Sequence, residues 1–227
     1  ARTQALCGYY AFGETAMPAA SFSLLGNGLR DDGFINLTAP ARPPLTIPSF
    51  TFAWILAVRD HYLYSGDDRM TRQFLPQICS MLKAFLNERK NGLLPLRQVK
   101  GIWHFYDWSA GMSGYSQEEF AHGLEADLPL NGYFILAIEA AVQMLSWCEE
   151  DGGEQLTKAA GEIRDAAAER FWDSKENVFY THEHRKRLTE LTQSLAVLAG
   201  IGDASMREAV LERLARPDSG LSEPGLS

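Results

Sequence analysis

The chain has 227 residues, with 21 Lys+Arg against 29 Asp+Glu and a formal net charge of −8. That length allows one large core, and the acidic balance argues against nucleic acid or an anionic membrane as partner, because both select basic surfaces. Aromatic residues make up 11% of the chain, a load that needs a large core or a ring-lined pocket to hold it.

In chain order, Arg2 to Phe12 and Thr15 to Leu29 form a first helical pair joined at Gly13, with Pro18 near enough to a helix start to be tolerated. A proline-rich connection, Arg30 to Ser49, follows. Ser49 is placed to cap a helix from Phe50 to Tyr64, whose first half is apolar on every side and so must be enclosed by protein. After Gly66, Arg69 to Arg89 carries Phe74, Ile78, Met81, Leu82, Phe85 and Leu86 at three- and four-residue spacing, the pattern of a helix with one buried face. The pairing of an inner with an outer helix recurs. Leu130 to Trp147 is nearly all apolar, and amphipathic Glu154 to Trp172 follows a turn at Gly152. Apolar Glu190 to Gly200 precedes a turn at Gly202, then Ser205 to Arg216 with Met206, Val210, Leu211 and Leu214 on one side.

Such alternation predicts an all-α chain, a single domain over residues 1–227. The unequal connections favour a closed α/α toroid over a solenoid, which keeps a regular period. Three connections at the opposite end of the hairpins are long: Arg30 to Ser49, Asn91 to Pro129, and Asp173 to Thr189 with a short strand expected at Val178 to Thr181. Long connections are uncommon unless functional, so this rim is the expected location of a site.

Within the middle connection, Ile102 to Ser109 packs Trp103, His104, Phe105, Tyr106, Asp107 and Trp108 together. Two readings stay open. Ring faces stack on the apolar face of a sugar while a carboxylate takes its hydroxyls; alternatively the rings pin the loop to the core and Asp107 holds backbone N–H groups. Glu118, Glu119, Glu125 and Asp127 follow, and a glycosidase needs two carboxyls whose environments split their pKa values, although an acidic run is more often a solvated surface. His182 and His184, followed by Arg185, Lys186 and Arg187, read as an exposed polar turn rather than as metal ligands, and His61 as a hydrogen-bonded, partly buried helix residue. Cys7, Cys79 and Cys148 have no ligand or disulfide spacing, and buried free thiols in a reducing compartment are expected. No nucleotide-binding glycine motif or serine-hydrolase elbow is present, no cofactor is implied, and the longest apolar run, Phe52 to Val58, is too short for a membrane span. A soluble, cytoplasmic chain is expected. Because it opens on Ala1 and closes on the loop-like Ser222 to Ser227, it reads as a piece of a longer protein.

Several stretches, in this order, resemble the catalytic domain of bacterial α-L-rhamnosidases. Ala1 to Phe12 resembles the helix after that family's acidic motif. Thr46 to Asp67 resembles its Ile-Pro-Asp-Phe helix and Thr-Gly-Asp turn, with Ser49 where the family often has Asp. Tyr106-Asp107-Trp108 resembles its Asp-Trp pocket element, Leu130 to Ala141 an inner helix, and Arg170 to Asp173 with Thr192-Gln193 the later hairpins. The resemblance implies an inverting glycoside hydrolase with a six-hairpin α/α toroid, of which this chain holds about four hairpins, acting on terminal α-L-rhamnosyl residues. It also implies that Phe50 is a pocket aromatic, that Tyr106 and Asp107 line the pocket with Asp107 binding sugar hydroxyls, and that Trp108 packs against the deoxysugar's methyl side. The family's general acid and general base would lie before Ala1 and after Ser227. An open partial toroid would expose apolar helix surface and predicts association of copies. The competing readings are a non-catalytic helical carbohydrate-binding or interaction protein and another six-hairpin glycosidase that uses the loop acids.

Overall fold

Left-handed residues stop several of the helices: glycine at 13, 66 and 200, which adopts that backbone without a steric cost, and Glu149 with φ 59°. In the computed structural model, which describes residues 1–41, 43–184 and 187–223, α1 (Arg2–Phe12) turns into α2 (Ala16–Gly26) at Gly13. The next hairpin joins α3 (Pro48–Ser65) to α4 (Arg69–Glu88) at Gly66, where φ is 70°. After the short α5 (Gln117–Ala121), α6 (Leu128–Trp147) turns into α7 (Gly153–Phe171) at Gly152. Following an antiparallel ribbon of β1 (Trp172–Asp173) and β2 (Val178–Phe179), α8 (Glu190–Leu198) turns into α9 (Ala204–Leu214) at Gly202. The described residues therefore form an all-α chain of four helical hairpins with one small ribbon, as the sequence predicts. Arg185, Lys186 and most of the expected tail lie outside the described residues.

The chain divides into two compact units, Ala1–Asn87 with Lys100–Trp103 and Ala137–Thr157, and Glu88–Val99 with His104–Leu136 and Lys158–Ser227. Helices α6 and α7 run through both. By length and composition α6 could cross a membrane, yet most of it is buried in the protein, with Phe134, Ile135, Ile138 and Met144 fully enclosed. It is a core helix.

In the first unit the middle of α3 is buried, with Phe52, Ile55 and Val58 at zero exposure, while Phe50, Leu63 and Tyr64 near its ends are exposed. Pro48 starts it, since a proline at the first helical position loses no hydrogen bond and presets φ. Ser49 is consequently inside the helix and buried, which corrects the expectation that it caps it. Gly26 lets α2 approach closely, because a Cβ there would lie 2.6 Å from the rings of Phe74 and Trp54. Phe85 stacks on Phe34 and meets Phe52 edge-on. His61 is a satisfied buried histidine as expected, its Nδ1 3.0 Å from the Tyr9 hydroxyl. Helix α1 departs from the inner-helix pattern: only Ala5 and Tyr9 are buried, and Tyr10 and Phe12 are exposed. Of the cysteines Cys148 is buried, Cys79 half-buried and Cys7 exposed, so burial holds for one of the three; all three are free.

In the second unit, polar side chains tie loops to helices. Asn131 on α6 accepts from the Leu94 N–H (2.8 Å) and donates to the Leu94 and Asp127 carbonyls. The Gln193 amide on α8 takes both the N–H and the C=O of Phe179, holding the ribbon. Thr189 and Asp203 cap α8 and α9 by accepting backbone N–H groups. Two expectations are corrected. The strand ends at Phe179 rather than Thr181, because the Thr181 backbone pairs instead with Leu128 and Arg187. On α9 only Val210 is buried, whereas Leu211 is exposed.

Candidate functional site

The long connection before α6 closes on itself between Tyr106 and Tyr115. The N–H groups of Tyr106 and Asp107 both donate to the Met112 carbonyl (2.8 and 3.2 Å), and Met112 N–H donates to Ser109. Gly111 and Gly114 take positive φ, and a Cβ on Gly111 would lie 2.6 Å from the Arg187 side chain. At the outer face of this loop Trp108 is 62% exposed, its ring meeting Phe105 edge-on at 4.8 Å. Asp107 is half-buried and accepts the Ser109 N–H at 3.0 Å. Both early readings of this stretch have a counterpart: Phe105 and His104 are pinned inward, while Trp108 stands out.

Beneath the loop lies a fully buried carboxylate. Asp127 precedes the first residue of α6 and accepts the Leu130 N–H with Oδ1 (2.9 Å), while Oδ2 accepts the hydroxyls of Tyr106 and Tyr115, each at 2.6 Å. Burial pushes the Asp127 carboxyl up to about 6, against the opposing pull of the two phenols and the N–H. The phenols of Tyr106 and Tyr115 are raised well above their ordinary value by burial and by the Asp127 charge. Tyr106 thus points its hydroxyl inward while the residue as a whole stays half-buried.

Around this cluster sit groups that the sequence reading treated as surface. His182 is buried, pairs by backbone bridging with Asp127, and is pushed down to about 4 by burial and then by the nearby Arg187. It is therefore no exposed turn; the apolar ribbon draws it inward. His104 is likewise pushed down to about 4 by burial, with Nε2 3.1 Å from the Arg97 carbonyl. Arg187 donates to the Gly111 carbonyl (2.7 Å) and to Glu119 (2.8 Å), and its guanidinium lies 5.3 Å from the centre of the Tyr115 ring. Burial raises Glu119, but hydrogen bonds from Ser116 and the charge of Arg187 outweigh it and hold the carboxyl low. Glu119 also closes a capping box with Ser116 at the start of α5. Of the other loop acids Glu118 is exposed and Glu125 pairs with Arg170 at 3.3 Å.

Phe50 belongs to the first unit, in the first turn of α3, and is 41% exposed. A cavity of about 430 Å³ in that unit, lined by residues that include Arg72, Leu75, Cys79 and Cys148, contains none of the sequence-predicted site residues. Among the described residues no group of three or more His, Cys, Asp or Glu side chains is arranged to hold a metal. Arg187, read from the sequence as part of the exposed turn, is half-buried and bonded to the loop, and the joining of Asp127 with Tyr106 and Tyr115 escaped the sequence reading. The two tyrosines flanking an aromatic loop, with an Asp directly before an apolar helix, were its only trace.

The family model of the bacterial alpha-L-rhamnosidase six-hairpin glycosidase domain matches residues 1–218. The chain belongs to this family. No curated protein matches it. Among solved structures it is similar to the GH78 family rhamnosidase of Bacillus sp. GL1, at 19% identity and TM-score 0.85 over 99% of this chain and 23% of that one. It is similar to the Klebsiella oxytoca rhamnosidase with rhamnose bound, at 16% identity and TM-score 0.77 over 96% of this chain and 40% of that one. The Streptomyces avermitilis alpha-L-rhamnosidase complexed with L-rhamnose follows at 18% identity and TM-score 0.59, over 92% of this chain and 19% of that one. The chain therefore spans well under half the length of these rhamnosidases, and the likeness establishes its fold as part of a six-hairpin α/α toroid.

Proposed function

We propose that this chain forms part of the catalytic domain of an inverting glycoside hydrolase that releases terminal α-L-rhamnose, and that Tyr106, Asp107 and Trp108 line its sugar pocket. Family membership supports a glycosidase, and two relatives of the same fold carry rhamnose. The observation that carries the pocket assignment is Trp108, largely exposed beside Asp107 on a loop held from beneath by a buried carboxylate. An exposed tryptophan beside a carboxylate suits a deoxysugar, whose methyl and ring C–H groups stack on the indole while its hydroxyls bond the acid.

In this reading the general acid and base come from other parts of the full-length protein, about 6.5 to 9.5 Å apart across the glycosidic bond to leave room for water. Two of the loop acids are unsuited to those roles: Asp127 is sealed from solvent and Glu119 is held by Ser116 and Arg187. Three free thiols fit a reducing compartment such as the cytoplasm.

The test is hydrolysis of an aryl α-L-rhamnoside by the full-length protein, followed by NMR. β-L-rhamnose as the first-formed anomer is expected, and α-L-rhamnose or no hydrolysis would contradict the reading. The isolated 227-residue chain is expected to show no turnover.

A further inference from the structure

Tyr106 and Tyr115 bracket the segment that holds Asp107 and Trp108, and their hydroxyls meet on one oxygen of Asp127. The other oxygen is anchored to the first turn of α6 through Leu130 N–H, where the positive end of the helix dipole favours a carboxylate. A loop closed at both ends on a rigid helix start has little freedom left at its tip. Arg187, bonded to the Gly111 carbonyl, presses on that tip from the side. A carboxylate used only as a helix cap would need one N–H partner; this one also takes two phenols in a site with no exposure.

We propose that Asp127 is a positioning residue: its buried carboxylate clamps both ends of the 106–115 loop and thereby fixes where Asp107 and Trp108 meet a sugar. The ligand in this statement rests on the proposed rhamnosidase reading. The clamp itself does not.

The clamp has a pH signature whose sign follows from linkage. Asp127 meets Tyr106 and Tyr115 of the connection and the charge of Glu183 after β2, and its backbone bridges to His182; the two phenols in turn feel Tyr133 of α6, Glu119 and Arg187. Buried Asp127 holds its proton to about pH 6, whereas a solvated Asp loses it near 3.9. Protonation therefore favours the clamped loop over a released one, roughly tenfold more at pH 5 than at pH 7.

The experiment titrates the full-length protein with L-rhamnose between pH 5 and 8, as wild type, Asp127→Asn and Tyr115→Phe. Relative to Asp127→Asn, wild-type affinity is expected to rise by up to about tenfold on going from pH 7 to pH 5, with a step near pH 6. Tyr115→Phe leaves the residues proposed to touch the sugar intact. It is expected to weaken binding about fivefold at pH 7, and to move the step upward by about one unit because ionised Asp127 loses a donor. Parallel wild-type and Asp127→Asn profiles, or a Tyr115→Phe variant that binds like wild type, would overturn the clamp. A ligand-free readout separates this from the sugar assignment: the emission difference between wild type and Trp108→Phe is expected to step near pH 6 and to be flat in the Asp127→Asn background. If no variant binds rhamnose, the rhamnosidase reading fails and the emission titration alone decides; a flat wild-type difference overturns the clamp.

Discussion

Asp107 and Asp127 lie in the same connection, and the structure treats them in opposite ways. Asp107 sits half-buried at the loop surface beside the exposed Trp108, bonded to a neighbouring N–H. Asp127 is sealed, with three donors on its two oxygens. In the proposed reading one carboxylate meets the ligand and the other holds that placement. Carboxylates in one loop thus differ in role by what surrounds them, which their residue type does not disclose.

The largest expected effect comes from removing the anchor. Asp127→Leu leaves two buried hydroxyls and a helix N–H without an acceptor, and is expected to cost about 3 to 5 kcal/mol of stability in urea unfolding. Asp107→Ala, which loses the acceptor of the Ser109 N–H on a half-buried loop, is expected to cost about 1 kcal/mol; equal costs would erase the contrast. Next comes pH dependence. Because the folded-state pKa of Asp127 is raised to about 6, its contribution to stability is complete below about pH 4 and is lost as the pH rises through 6. Wild type measured against Asp127→Asn is expected to lose about 2 kcal/mol between pH 4 and pH 7, and a loss on acidification instead would refute the burial argument. Tyr115→Phe removes one donor and keeps the ring, for an expected cost of about 1 to 2 kcal/mol. Trp108→Ala is expected to shift stability by less than about 1 kcal/mol in the same assay, because its ring is mostly in water already.

Much of the hairpin order was legible in the sequence, since an all-round apolar run such as Leu130 to Trp147 must be buried and the glycines at 13, 66, 152 and 202 mark the turns, although the left-handed residues that end α6 and α8 are Glu149 and Gly200. Helix starts were less legible where two signals competed: Pro48 presets the first turn of α3 and places Ser49 inside it. Burial of α1 and of Leu211 was overestimated because periodicity reports an apolar face and not what covers it. At the site, the aromatic run announced the loop. The Asp127 cluster was hidden because its partners come from points far apart in sequence, and nothing local distinguishes a sealed Asp from a solvated one. The same holds for His182, which the ribbon carries into the interior.

The central claim is that the Asp107–Trp108 surface receives the sugar, and its most direct test is the affinity of the full-length protein for L-rhamnose with and without the indole. Saturable binding that weakens by at least about tenfold in Trp108→Ala, with unfolding little changed, is the predicted result. Equal affinity in the two proteins would contradict the account.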